Sequence, residues 1–163
     1  MRVALTGPDG DGGSLGEGLR AIGVETLGVA LLETEPRDPE ALRLRLREGN
    51  FDLVAFASPR AVDAVAGALE GRPAGAPCVV VGPETARRAA KAGFEVLAEG
   101  EGPGAEGLLA ALDRLPVGQG LQGARVLLPA SDRARPDLAE GLRARGAAVD
   151  ALVVYGVDRK SVV

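Results

Sequence analysis

The sequence contains no histidine and a single cysteine, Cys78. The first absence removes the commonest general base, the commonest zinc ligand and every nucleophile activated by imidazole. The second excludes an internal disulfide and a metal cluster held by cysteines. Lysine is scarce too. Apart from Lys91 and Lys160 the basic residues are arginines, which suit bidentate recognition of carboxylate or phosphate, although an Ala/Gly/Arg-rich composition accounts for the same bias. No apolar run approaches the roughly 18–20 residues that span a bilayer. Met1-Arg2-Val3-Ala4-Leu5 enters a strand without the longer apolar stretch of a signal peptide. A cytoplasmic protein with no membrane partner is expected. The net charge of −4 argues against a nucleic-acid surface. Any chemistry here must proceed without imidazole.

What the chain does contain is ordinary for a globular protein: 163 residues, 46% hydrophobic and 26% charged. That length builds one good core, or part of two. It also contains a repeat. Residues 2–23 and 125–146 align without a gap, and half of the aligned positions are identical. Arg2, Val3 and Leu5 recur as Arg125, Val126 and Leu128. Asp9, Leu15, Glu17, Gly18, Leu19, Arg20, Ala21 and Gly23 recur as Asp132, Leu138, Glu140, Gly141, Leu142, Arg143, Ala144 and Gly146. Each copy reads as a buried strand, a polar loop, an amphipathic helix, a glycine stop and a second strand. Such a duplication implies two related domains, one copy opening each.

Between and beyond the copies, apolar runs alternate with helical patterns. Strands are expected at Val3–Thr6, Val24–Leu32, Asp52–Ala57, Cys78–Gly82, Phe94–Ala98, Arg125–Pro129 and Val149–Tyr155. Continuous apolar runs such as Leu53-Val54-Ala55-Phe56 suit strands covered on both faces, as in a parallel sheet. Ser14 can cap a first helix that places Leu15, Leu19 and Ile22 on one face before Gly23. Further helices start at Pro39, Pro59 and Pro83, and two more cover Gly104–Leu115 and Asp132–Arg145. Leu115–Gly123 reads as a loop and Glu33–Pro39 as a connector between domains. Strict alternation means an α/β fold.

Three expected strand ends turn directly into helices: Ala57-Ser58-Pro59-Arg60, Gly82-Pro83-Glu84-Thr85 and Ala130-Ser131-Asp132-Arg133. In a parallel sheet such turns gather at the carboxyl edge, where open α/β folds bind ligands. Backbone N–H groups at helix starts favour anions there. Ser58, Thr85 and Ser131 add hydroxyls, and Arg60 and Arg133 add charge. Taken singly, each hydroxyl also reads as a helix cap; three on one edge point to a ligand bearing carboxylate or phosphate. Gly7–Gly16 lacks the last glycine of a dinucleotide loop and reads better as a flexible turn. Tyr155, the only tyrosine, can supply a proton or hydrogen bond, or can simply pack at an interface.

These motifs resemble the uroporphyrinogen-III synthase family. Phe51-Asp52-Leu53-Val54-Ala55-Phe56-Ala57-Ser58-Pro59-Arg60-Ala61-Val62 is similar to that family's segment of Asp, an apolar stretch and Phe-Thr/Ser-Ser-Pro-x-Ala-Val, with Ala57 in the place of the threonine. Val81-Gly82-Pro83-Glu84-Thr85-Ala86 resembles its Val-Gly-x-x-Thr-Ala segment, and Val154-Tyr155 its Val-Tyr exit from a late strand. Thr6-Gly7-Pro8 stands where the family has Thr-Arg-Pro. The resemblance implies two similar parallel-sheet α/β/α domains joined by a pair of connector strands, Leu31–Thr34 and Val153–Val157. Residues 1–35 would open a discontinuous first domain, 36–152 would form a complete second domain with five strands, and 153–163 would return, the chain being truncated at its C-terminus and inactive alone. It further implies a monomeric, cofactor-free lyase of tetrapyrrole biosynthesis. Such an enzyme cyclises the polycarboxylate hydroxymethylbilane, with inversion of the last pyrrole ring and loss of water. Tyr155 would assist departure of the hydroxyl. Thr6, Ser58, Arg60, Gly82, Thr85, Ser131 and Arg133 would bind substrate. The competing expectation is a non-catalytic two-lobed α/β anion-binding or sensor domain.

Overall fold

The computed structural model describes residues 1–6, 13–29, 32–102, 104–115 and 120–159. The Ser14 side chain, the turn at residues 7–12, position 31 and residues 116–119 of the expected loop lie outside what is described. In chain order the elements are β1 (Arg2–Thr6), α1 (Gly13–Ala21), β2 (Glu25–Val29), β3 (Leu32–Pro36), α2 (Pro39–Glu48), β4 (Leu53–Phe56) and α3 (Pro59–Leu69). There follow β5 (Cys78–Val81), α4 (Pro83–Lys91), β6 (Val96–Gly100), α5 (Ala105–Leu112), β7 (Arg125–Ser131), α6 (Asp137–Ala144) and β8 (Ala148–Arg159). The chain is an α/β protein with parallel sheets and six described helices.

It divides into two compact units, one comprising Met1–Glu35 and the stretch from Gly156, the other Pro36–Tyr155. In the first, β1 and β2 pair in parallel, joined through α1. Among the described residues their sheet has these two strands alone, too little surface to bury a helix face. Leu15 and Ile22, expected to face a core, are accordingly 62% and 75% exposed.

The second unit is built on parallel strands in the order β8-β7-β4-β5-β6. β4 runs parallel to β5 and β7, β5 to β6, and β7 to β8. Both copies of the repeat thus fold as strand, helix and parallel strand. Every residue of β4 is buried, as its uninterrupted apolar run requires when helices cover both faces. Leu42 of α2, Ala61, Val62, Val65, Ala68 and Leu69 of α3 and Ala89 of α4 close one face over Val54, Phe56 and Leu127. The buried α3 residues follow the helical period. Phe56 and Phe94 meet there edge to face at 5.0 Å. Leu108 and Leu112 of α5 and Leu138 and Leu142 of α6 close the other face over Leu53, Ala55, Val126 and Leu128.

One boundary corrects the sequence reading. The last helix begins at Asp137, with Pro136 as its N-cap, and not at Asp132. Proline disfavours helical geometry at the residue before it and has no N–H for the helix ladder, so Asp132–Arg135 cannot form the first turn.

Candidate functional site

The order of the strands decides where a ligand can enter the second unit. From β4 the chain steps outward through β5 to β6, then returns to the opposite side of β4 to lay down β7 and β8. The strand order therefore reverses between β4 and β7. An open parallel sheet has its crevice at such a point, beyond the carboxyl ends of the strands. Here β4 and β7 pair only through Leu53↔Val126 and Val54↔Leu127. Beyond that, Pro129 in β7 has no N–H with which to continue a ladder. A cavity of about 320 Å³ opens at this place. Ala57 and Ser58 follow β4 into it, Val81 comes from the end of β5, and Pro129, Ala130 and Ser131 come from β7. Gly104 and Ala105 supply the start of α5, Ala134, Arg135, Asp137 and Leu138 the approach to α6, and Tyr155 comes from β8.

Tyr155 owes its direction to a slip in strand register. β7 and β8 match residue for residue from Arg125↔Ala148 to Ala130↔Val153, after which Ser131 faces Tyr155. β8 thus spends one extra residue. Leu152 and Val154 project toward the α2–α4 face, and so does Asp150, which accepts a hydrogen bond from Arg45 of α2 at 2.9 Å. By simple alternation Tyr155 would follow Val153 to the opposite face. The bulge turns it back, and its ring packs against the α2–α4 core.

That turn brings the phenol to Ser58. The two side-chain oxygens, both part-buried, are 2.8 Å apart. Ser58 is extended, with φ −157° and ψ 154°, and its Oγ accepts the Ala61 N–H at 3.2 Å as the N-cap of α3. Pro59 at the first helical position fixes this entry. Ser131 accepts the Arg133 N–H at 3.3 Å, a local turn bond in place of the expected helix cap. The Asp132 N–H donates to the Tyr155 carbonyl at 3.0 Å.

Of the residues singled out from sequence, Ser58, Ser131 and Tyr155 are brought together on one cavity. Gly82 takes φ 84° as the N-cap of α4, a left-handed conformation that suits glycine, but it does not line the cavity, nor does Thr85, which is buried in α4 at 3% exposure. Arg60 and Arg133 are not among the lining residues; Arg135 is, paired with Asp137 at 2.6 Å. Thr6 ends β1 in the other unit. The sequence reading missed Arg135, Asp137 and the Gly104–Ala105 wall. Pro136 was the available signal for the first two, because it delays the helix and lengthens the loop that carries Arg135. Gly104 caps α5 without a side-chain bond, which leaves N–H groups of that helix start beside the cavity.

Cys78 is wholly buried in β5 and away from the cavity; burial pushes its thiol up to about 11. It stays protonated at neutral pH and is no nucleophile. Among the described residues no helix is long and apolar enough to cross a membrane, and no group of three or more acidic or cysteine side chains is placed to hold a metal ion.

A family profile described as uroporphyrinogen-III synthase HemD matches residues 13–162. Among solved structures, a mutant uroporphyrinogen III synthase from the extremely thermophilic bacterium Thermus thermophilus superposes with a TM-score of 0.64 at 23% identity, over 98% of this chain and 64% of that one. The wild-type enzyme of the same organism gives 0.59 at 25% identity, over 98% and 63%. The Helicobacter pylori enzyme gives 0.55 at 19%, over 86% and 59%. The chain thus spans less than two thirds of the length of the synthases it resembles. No curated protein sequence matches it significantly.

Proposed function

The chain belongs to the uroporphyrinogen-III synthase family, and from that premise we propose that it takes part in closing hydroxymethylbilane to uroporphyrinogen III, a lyase reaction that inverts the last pyrrole ring and releases water. The observation that carries the reading is the convergence of Tyr155, Ser58 and Ser131 on one small cavity at the switch point of the sheet. About 320 Å³ matches a single substituted heterocycle better than a whole tetrapyrrole. Small apolar side chains (Ala57, Ala105, Ala130) leave room for a flat ring, while the uncapped start of α5 and Arg135 can receive its carboxylates.

The chemistry fits a site without histidine. The electron-rich pyrrole expels the hydroxyl of its own hydroxymethyl group: the C–O bond breaks, the electron pair leaves on oxygen, and a proton completes water. A phenol hydrogen-bonded to that oxygen is donor enough when the geometry is fixed. Tyr155 is the residue we assign to this step, with no cofactor. Ser58 and Ser131 orient the substrate, and Thr6, Arg60, Gly82, Thr85 and Arg133 remain proposed contacts beyond the cavity. We read residues 36–152 as one lobe of a two-lobed, monomeric, cytoplasmic enzyme, with 1–35 opening the other and 153–163 returning to it.

Because the chain spans 64% of the matched synthase, residues 1–163 alone should turn over poorly. Rescue of a synthase-deficient strain by these residues alone would refute that division of labour. In a chain of full synthase length, Tyr155→Phe should slow formation of the inverted isomer about a hundredfold or more. Chromatographic separation of the inverted from the non-inverted uroporphyrin reads this. An unchanged rate removes Tyr155 from the mechanism.

A further inference from the structure

Two hydroxyls at 2.8 Å leave open which one gives its proton to the other. We infer that Ser58 donates to Tyr155, so that the phenol proton is left to point into the cavity. Ser58 is then a positioning residue for the proton that Tyr155 delivers. This role rests on the assignment of Tyr155 to the leaving hydroxyl and extends it to a residue that does not itself touch the reacting oxygen.

The direction is set at the helix. The Ala61 N–H of α3 already occupies one lone pair of Ser58 Oγ. A hydroxyl that accepts from a backbone donor becomes a better donor itself, because successive hydrogen bonds polarise one another in the same sense. Ala61 N–H to Ser58, Ser58 O–H to Tyr155, and Tyr155 O–H to an oxygen in the cavity form one chain of donors. It starts at the positive end of an 11-residue helix, whose dipole favours negative charge at its start and so favours drawing protons outward. In the reverse arrangement Ser58 would accept twice, and the phenol would present only lone pairs to the ligand.

Tyr155 is the sole tyrosine in a chain without tryptophan, so its vibrational spectrum reads one hydroxyl and needs no turnover. A phenol that donates gains phenolate character and a stiffer C–O bond; one that accepts has a softer C–O bond. The ultraviolet resonance Raman C–O stretch should therefore lie at the same place in the wild type and in Ser58→Thr, which keeps the hydroxyl. Ser58→Asp still caps α3 but can only accept when ionised, and should move the band toward higher frequency. Ser58→Gly keeps the helix, because glycine at an N-cap is tolerated far better than alanine, and should give the band of a phenol in water. The inference is overturned if the wild-type band coincides with that of Ser58→Asp, if Ser58→Gly leaves it unmoved, or if Ser58→Thr fails to restore it. Where activity is measurable, Ser58→Gly should lower kcat about three- to tenfold, beyond any rise in KM from the lost substrate contact. Loss of the synthase reading itself would show instead as Tyr155→Phe without effect while the order of the bands holds.

Discussion

Gly67, Gly107 and Gly141 all sit inside helices and look alike in sequence, yet alanine should affect them in different ways. A methyl group on Gly67 of α3 meets no atom within 4 Å. Alanine is favoured over glycine in a helix by about 0.5–1 kcal/mol, largely through the unfolded chain, so Gly67→Ala should stabilise by about that amount, less what its place in the last turn forgoes. On Gly141 of α6 the methyl carbon would lie 2.3 Å from Leu109 Cδ1, the far end of a half-buried side chain that can rotate away. Strain and propensity then roughly cancel, and Gly141→Ala should be within about 1 kcal/mol of wild type. On Gly107 of α5 the obstacle is backbone: Glu101 O at 2.0 Å, its carbonyl carbon at 2.8 Å and its nitrogen at 3.0 Å. Gly100 mirrors this, since a methyl there would meet Leu108 N at 2.6 Å. The end of β6 and α5 therefore touch main chain to main chain, and Gly107→Ala must push the helix away by more than an ångström. Overpacking of this kind costs about 1–3 kcal/mol, and α5 takes buried Leu108 and Leu112 with it. Urea unfolding followed by far-ultraviolet circular dichroism, compared at constant slope, gives the three differences. Should Gly107→Ala match the wild type, or Gly67→Ala lose about 1 kcal/mol where propensity alone predicts a gain, main-chain contact does not set these costs.

Two further predictions concern groups outside the cavity. Burial holds the Cys78 thiol at about 11 against an ordinary 9.0; between those values the unfolded chain gives up a proton that the native chain keeps. The stability Cys78 contributes is whole below pH 9 and falls by about 1.4 kcal/mol per unit as pH rises toward 11. Urea midpoints of wild type and Cys78→Ala should converge or cross over that range, and a thiol reagent at about pH 8 should label Cys78 only on unfolding. On the surface, Arg145 Nε and Nη2 each donate to the Asp113 carboxylate at 2.7 Å, which holds that carboxyl below its usual 3.8. Its contribution is present above that pH and lost below it, so Asp113→Asn should lower the urea midpoint at neutral pH, but not at about pH 2 or in high salt.

The parallel α/β fold was legible because it rests on one-dimensional patterns. Leu53-Val54-Ala55-Phe56 can be satisfied only between two covering layers, and Pro39, Pro59 and Pro83 mark helix starts by a backbone restriction that no neighbour alters. The internal repeat located a strand–helix–strand unit at each end for the same reason. The start of α6 went wrong although Pro136 was visible, since the capping pattern at Ser131 and Asp132 competed with it. Leu15 and Ile22 form a helical stripe, but a stripe does not reveal how many strands are there to cover it. Ser58 and Tyr155 could each be nominated; their contact could not. They are 97 residues apart, and the slip between Ala130 and Ser131 has no glycine or proline on the paired stretch of β8 to announce it.

That slip sets the condition on which the site depends. Successive side chains of a strand face opposite ways, so a single residue of register separates a tyrosine packed on the α2–α4 face from one turned toward α5 and α6. The contact with Ser58 exists only because the extra residue falls at the end of β7, past the last paired residues of β4. A bulge weakens the ladder where it occurs. At this edge β7 has already parted from β4, so little pairing remains to be lost, and the space left by their divergence is the cavity itself. The opening of the sheet and the aiming of the phenol are thus two consequences of one local geometry. For a chain with no imidazole to orient, a rigid phenol held by a helix cap is what that geometry makes available.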